Sequence, residues 1–322
     1  MMEEPHRARY KRRMRALLLV LLLLSACTAN SKAKQDPVSD PVRAQRMMDW
    51  ATRIVEVGPA AQGHPSKARV QALIQRELRG MGLQVAQHPF TVDMPDVGMR
   101  WDLVNLRVSF RPEASHRLLV GAHWDIRPWS DEDPDPAKRS LPFDGANDGV
   151  SGVVVLMELA RELVHEPPPE GVGVDLVFFD GEEGPKDTPH QYLGSKDLAA
   201  NWAKTGVAEP ARGVIVDMVG RKGLMIRREG FSQQRAREVL DEIFDIARRK
   251  GARHFRDEPG KYILDDHIAF LQRGIPVVDL IDIDDPHWHT QEDTLEHLDP
   301  HAMAEVAEVV LQWIREARPP EM

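Results

Sequence analysis

Glu182 and Glu183 stand side by side in Phe178-Phe179-Asp180-Gly181-Glu182-Glu183, directly after the apolar run 174–179. Adjacent carboxylates leave the backbone in different directions, so one can bind a metal ion while its neighbour carries protons. A lone glutamate pair after a strand is ordinarily a solvated turn. Here it has company. His123 and Asp125 follow the apolar run 118–122, and Asp148 lies in Gly145-Ala146-Asn147-Asp148-Gly149-Val150-Ser151-Gly152 ahead of a helical pattern. Asp217 falls near the end of the run 213–218, and His289, in His287-Trp288-His289-Thr290, lies beyond the run 275–281. Taken singly, each has a plain explanation as a cap or a surface residue. Gathered at strand ends in one domain, these imidazoles and carboxylates form the N/O donor set that suits zinc.

The elements that must position them alternate. Asp40-Pro41 predicts a capped helix that stops at Gly58-Pro59, and helical spacing recurs over 67–81. Strands are expected at 83–92, 103–110, 117–122, 174–179, 213–218 and 275–281, with 224–227 pairing with the 213–218 strand. Helices are expected at 148–164, 193–203, 235–250, 266–272 and 301–314. Strands alternating with helices give an α/β fold with a largely parallel or mixed sheet and helices on both faces. In such sheets the crevice forms at the strand ends, where the polar clusters sit. No internal repeat or second domain boundary is visible. Trp50, Trp202 and Trp313 are expected to pack in the core, Trp124 and Trp129 at the pocket mouth or in packing, His287 at the surface, and Asp131-Glu132-Asp133 in a solvated loop.

The first 26 residues carry six Lys/Arg against Glu3 and Glu4, so the remainder holds 36 basic and 49 acidic residues, a net of -13. An acidic body argues against nucleic acid as a partner. The leader has an arginine-rich stretch at 7–15 and an apolar run at 16–24, too short to span a bilayer and suited to a secretory signal. It ends in Leu24-Ser25-Ala26-Cys27, with Cys27 the only cysteine. This resembles a bacterial lipobox. It implies a signal peptide at 1–26, lipidation of Cys27, a flexible tether at 27–39 and a domain at 40–318. The expectation is an exported protein, lipid-anchored to a bacterial membrane and facing the periplasm or the exterior.

The order His-x-Asp, Gly-Ala-Asn-Asp-Gly-x-Ser-Gly, Phe-Phe-Asp-Gly-Glu-Glu, Asp-Met-Val-Gly, Asp-Asp-His and Trp-His-Thr resembles the M28 zinc peptidases, above all their bacterial glutaminyl cyclase branch. The likeness runs over roughly residues 40–317. It implies a single three-layer αβα domain with a mixed, mostly parallel sheet, as in zinc aminopeptidases. It also implies that Asp148, Glu183 and His289 bind zinc and that Glu182 is the general acid/base. His123 and Asp217 match the positions that complete a second zinc site in the aminopeptidases, with Asp148 bridging; cyclases keep both residues while using one zinc. Asp265, in Leu264-Asp265-Asp266-His267, stands where cyclases carry an acid and many aminopeptidases a serine, and Trp288 is also cyclase-like. Asp125, Asp266 and His267 are expected to support these groups through hydrogen bonds.

Three departures concern the pocket walls. Gly184-Pro185-Lys186-Asp187 lacks the tryptophan of animal cyclases, Asp279 replaces their histidine, and the acidic stretch 282–286 lacks their phenylalanine. The resemblance implies a cyclase that converts the N-terminal glutamine of peptides to pyroglutamate with one zinc. The alternatives are an aminopeptidase with two zincs and a non-catalytic, zinc-stabilised peptide-binding lipoprotein.

Overall fold

The computed structural model describes residues 40–320; the expected signal peptide (1–26), Cys27 and the expected tether (27–39) lie outside the described residues. Helix α1 (Pro41–Val57) is capped by Asp40, whose side chain accepts from the N–H of Val42, and stops at Gly58, φ 105°. Helix α2 (Lys67–Gly80) precedes a hairpin of β1 (Ala86–Met94) and β2 (Met99–Phe110). Strand β3 (His116–His123), helix α3 (Ser151–His165), strand β4 (Val172–Phe179), helix α4 (Leu193–Ala200) and strand β5 (Arg212–Asp217) follow. The chain continues through β6 (Ile226–Arg228), α5 (Gly230–Arg235), α6 (Arg237–Lys250), β7 (Phe255–Pro259), α7 (His267–Gln272), β8 (Val277–Ile281) and α8 (Pro300–Glu316). No helix among the described residues is long and apolar enough to cross a membrane.

Six strands form one sheet in the order β1-β2-β4-β3-β5-β8. The pairings β4-β3, β3-β5 and β5-β8 are parallel, while the β1-β2 hairpin joins the β4 edge antiparallel. The sheet is therefore mixed and mostly parallel. Alternation along each strand sorts side chains between two faces. Leu118, Val120, Val174, Leu176, Val214 and Val216 pack with α1, α3, α6 and α8, while Leu119, Val177, Ile215 and Val277 pack with α4 and α7. Trp50 and Trp313 are buried in the first layer and Trp202 in the second. Asp175, the polar interruption in β4, accepts from Arg117 Nε at 2.7 Å and Arg107 Nη1 at 2.8 Å, which satisfies its buried charge.

Several elements differ from their sequence pattern. The segment expected to join β5 becomes β6 and pairs in parallel with β7 in a separate two-stranded sheet. Both edges of β5 are already taken by β3 and β8. Four of the five β7 residues are exposed, so the strand has no apolar alternation to read. The helix expected at 148–164 begins at Ser151, because Asp148 (ψ 100°) and Gly149 (φ 97°) leave helical geometry.

Register brings the carboxyl ends of the parallel strands into one row. His123 lies opposite Phe179, and Asp217 opposite Ile281. The loops after all four strands therefore open on the same edge.

Candidate active site

Asp148 sits in the turn before α3, Glu183 in the loop after β4, and His289 in the loop after β8. His289 Nε2 is 3.3 Å from Asp148 Oδ2 and 3.3 Å from Glu183 Oε1. Donors each about 2.0–2.1 Å from a tetrahedral zinc stand roughly 3.3 Å apart. Asp148 Oδ2 is buried with no hydrogen-bond partner. Two carboxylates and an imidazole at this spacing, with one oxygen left over, fit a zinc ion. His289 itself has φ 55°, a left-handed backbone held at the point where its ring is delivered.

His123 Nε2 is 3.0 Å from Asp217 Oδ1 and 3.2 Å from Asp148 Oδ1. Asp148 thus gives one oxygen to each of two clusters of buried ligand-type atoms. Burial opposes charge on His123, but Asp217 and Asp148 outweigh it and hold its pKa well above the ordinary histidine value. Burial pushes Asp217 up to about 7 despite the adjacent imidazole. His123 Nδ1 donates to the carbonyl of Asp125 at 3.0 Å, which fixes that ring proton.

The two carboxylate oxygens of Asp125 accept from the N–H groups of Glu182 and Glu183, at 3.2 Å each, and so set the turn that presents both glutamates. Glu182 faces the same cavity as Asp217 and Asp265, a space of about 270 Å³ also lined by Tyr192 and Trp288. Burial and the neighbouring Glu183 raise the Glu182 pKa well above the usual carboxylate range, which suits a group that must take and return a proton. The Trp288 ring stacks on His289, centroids 3.9 Å apart. Behind Asp265 lies a fully buried group. His267 Nε2 is 3.3 Å from Glu229 Oε2, and His267 Nδ1 is 3.8 Å from Asp279 Oδ2. Burial raises Asp265, and burial together with Asp265 raises both Asp266 and Asp279 further.

Residues 105–314 match the family described as Peptidase family M28. The chain belongs to peptidase family M28. It is similar to the glutaminyl-peptide cyclotransferase of Boiga irregularis, 27% identical over 290 residues, which cover 79% of this chain and 76% of that protein. Among solved structures it is similar to Porphyromonas gingivalis glutaminyl cyclase (TM-score 0.81, 32% identity, 87% of this chain and 99% of that one). A Zn-dependent exopeptidase from Parabacteroides distasonis matches with TM-score 0.80 and 32% identity, over 85% of this chain and 98% of that one. Zinc is the metal that this M28 site uses.

Around the M28 donor set the structure also places residues that sequence patterning passes over. Asp131, expected in a solvated loop, accepts from Arg127 Nη2 at 3.3 Å and lies 3.4 Å from His289 Nδ1. Its charge is stabilised against burial by His289 and Arg127, which lower its pKa to about 2. Asp133 is buried as well and accepts from the N–H of Gln291 at 3.0 Å. Asp293 holds the Asp148 turn by accepting from the N–H groups of Asn147 (2.7 Å) and Asp148 (3.0 Å). Trp124 and Trp129 do not line the cavity; Trp124 is buried and donates to the Val104 carbonyl, and Trp129 packs beside Trp101 and Leu103. His287 is part-exposed and stacks on His297 at 3.8 Å. The signal available for Arg127 and Asp131 was their spacing: four residues apart, just after His123-Trp124-Asp125.

Proposed function

We propose that this enzyme is a zinc-dependent glutaminyl-peptide cyclotransferase, closing the N-terminal glutamine of peptides to pyroglutamate with release of ammonia. The observation that carries the reading is one cavity in which Glu182, Asp217 and Asp265 face the Asp148, Glu183 and His289 group. Glutaminyl cyclases are among the relatives it matches over most of their length, those of Boiga irregularis and Porphyromonas gingivalis included. One zinc is proposed, held by Asp148, Glu183 and His289, where Asp148 Oδ2 is buried without a hydrogen-bond partner. When bound, the ion supplies Lewis acidity toward the substrate's side-chain carbonyl.

The chain's own residues do the rest. Glu182 accepts a proton from the α-amine as the nitrogen attacks the side-chain amide carbon (Cδ), and returns it to the departing amide nitrogen as its bond to Cδ breaks, so that ammonia leaves neutral. Nucleophile and electrophile belong to one residue, and holding the ring-closing rotamer supplies much of the acceleration. Asp265 orients the amine, and Trp288, braced on His289, packs against the glutamine side chain. Asp125 keeps Glu182 and Glu183 in divergent directions through their N–H groups.

The test is product analysis by mass on Gln-, Leu- and Ala-initiated peptides with the zinc-loaded enzyme. Loss of one ammonia from the Gln peptide alone is expected. Release of a free N-terminal residue would make the chain an aminopeptidase, and zinc binding without either product would make it a peptide-binding protein. We further propose export and lipid anchoring through Cys27, supported by the leader sequence. Cys27→Ser should move the protein from the membrane to the soluble fraction.

A further inference from the structure

A second cavity, of about 290 Å³, adjoins the catalytic one, and Ile263, Ile281 and Ile283 line both. Its remaining apolar wall is Met225 and Pro259. Two of the three acids in its wall are turned to internal donors. Asp282 accepts from Arg221 Nε (2.7 Å) and the Met225 N–H (2.8 Å), while Glu229 accepts from the N–H groups of Phe231 (2.8 Å), Ser232 (2.6 Å) and Ile263 (3.0 Å). The polar groups left at the opening are Lys261, Arg227 and the third acid, Asp284. Lys261 Nζ and Arg227 Nη1 reach Asp284 from either side, at 2.5 Å and 3.1 Å. An ammonium has three donors, so Lys261 keeps some for a ligand. The segment that separates the cavities also exposes Tyr262 (66%) and Leu264 (59%), next to Asp265.

A peptide whose first residue occupies the catalytic cavity must carry its backbone out of it. The three shared isoleucines give the two cavities a common apolar border over which the chain can pass, and Lys261 and Arg227 at the rim offer donors to backbone carbonyls. We infer that the second cavity is a subsite for the residues that follow the N-terminal glutamine, selecting peptides of three or more residues with an apolar side chain there. This inference rests on the cyclase reading.

The test uses the zinc-loaded enzyme, Gln-Ala amide as the short substrate, and Gln-Ala-Ala-Ala amide with Leu or Asp placed in turn at positions two, three and four. One Leu position should raise kcat/KM about tenfold or more over the short substrate, in keeping with burial of one leucine side chain. Asp at that position should give no gain. Met225, which lines only the second cavity, supplies the second arm. Met225→Glu should erase the leucine gain and leave Gln-Ala amide turnover unchanged. Equal kcat/KM across the wild-type series, or a gain that survives Met225→Glu, would overturn the subsite while the cyclase reading stands. Failure to cyclise any Gln peptide would overturn both.

Discussion

Arg127 Nη1 donates to Glu183 Oε2 at 2.9 Å, which leaves Glu183 Oε1 to face His289 Nε2. The same guanidinium holds Asp131 through Nη2 at 3.3 Å, and Asp131 lies 3.4 Å from His289 Nδ1. One side chain therefore orients two of the three proposed zinc ligands from behind. Groups placed this way set ligand direction and basicity. Arg127→Ala should weaken zinc binding about 10- to 100-fold, measured by competition with a chromophoric chelator. Arg127→Lys should recover only part of it, because an ammonium lacks the fork that spans both carboxylates. Unchanged affinity in both variants would remove this role.

Glu182 carries the proton in the proposed reaction and is not among the three atoms converging on the metal position. Glu182→Gln should keep zinc content and lower kcat by about 10²- to 10⁴-fold. Metal analysis and steady-state kinetics on one preparation check both halves. A fully active variant would sink the assignment.

The sequence made the scaffold and the donor set legible for different reasons. Strands β3, β4, β5 and β8 are buried, so their apolar runs stand out; β3 and β5 end in His123 and Asp217, and the loops after β4 and β8 carry Glu182, Glu183 and His289. Strand β7 is mostly exposed, and β6 is only three residues long, so neither shows a pattern. Asp131 and Asp133 look like solvated acids because their partners, Arg127, His289 and Gln291, come from a loop more than 150 residues away or from a cation inside the same turn. Helix α3 looked longer than it is because Asp148 and Gly149 sit in helical register with it, while the backbone there bends to turn the carboxylate toward His289.

The glycines of the Asp148 motif divide between turn and packing. Gly152 lies in α3 with ordinary helical geometry, yet a Cβ there would stand 2.5 Å from the Val216 carbonyl oxygen and 2.8 Å from the Ala122 side chain. Both neighbours belong to the sheet strands that end in Asp217 and His123. Gly152→Ala must push the helix off the sheet at the site's floor. Overpacking of this kind costs roughly 1–3 kcal/mol and should lower Tm in thermal unfolding. A variant as stable as the parent would show that the helix can shift freely.

Glu229 ties stability to pH. Its oxygens accept from the N–H groups of Phe231, Ser232 and Ile263 and from Ser232 Oγ, and His267 Nε2 lies 3.3 Å away. Burial opposes the charge, but His267 and Ser232 outweigh it and lower the carboxyl to about 2 from an ordinary value of 4.5. Because the folded pKa lies below the unfolded one, the ionised carboxylate stabilises the fold above pH ~4.5. That contribution fades as pH falls toward ~2. Glu229→Gln should therefore lower Tm most at pH 5 and above, with the gap to the parent closing as the medium is acidified. Any acid release of metal is common to both proteins and leaves the gap to report Glu229. A gap that stays constant down to pH 2–3 would mean the carboxylate is not held in its charged form by these partners. Since Glu229 also fixes Ile263, two residues before Asp265, acidification through this window should loosen the loop that carries Asp265.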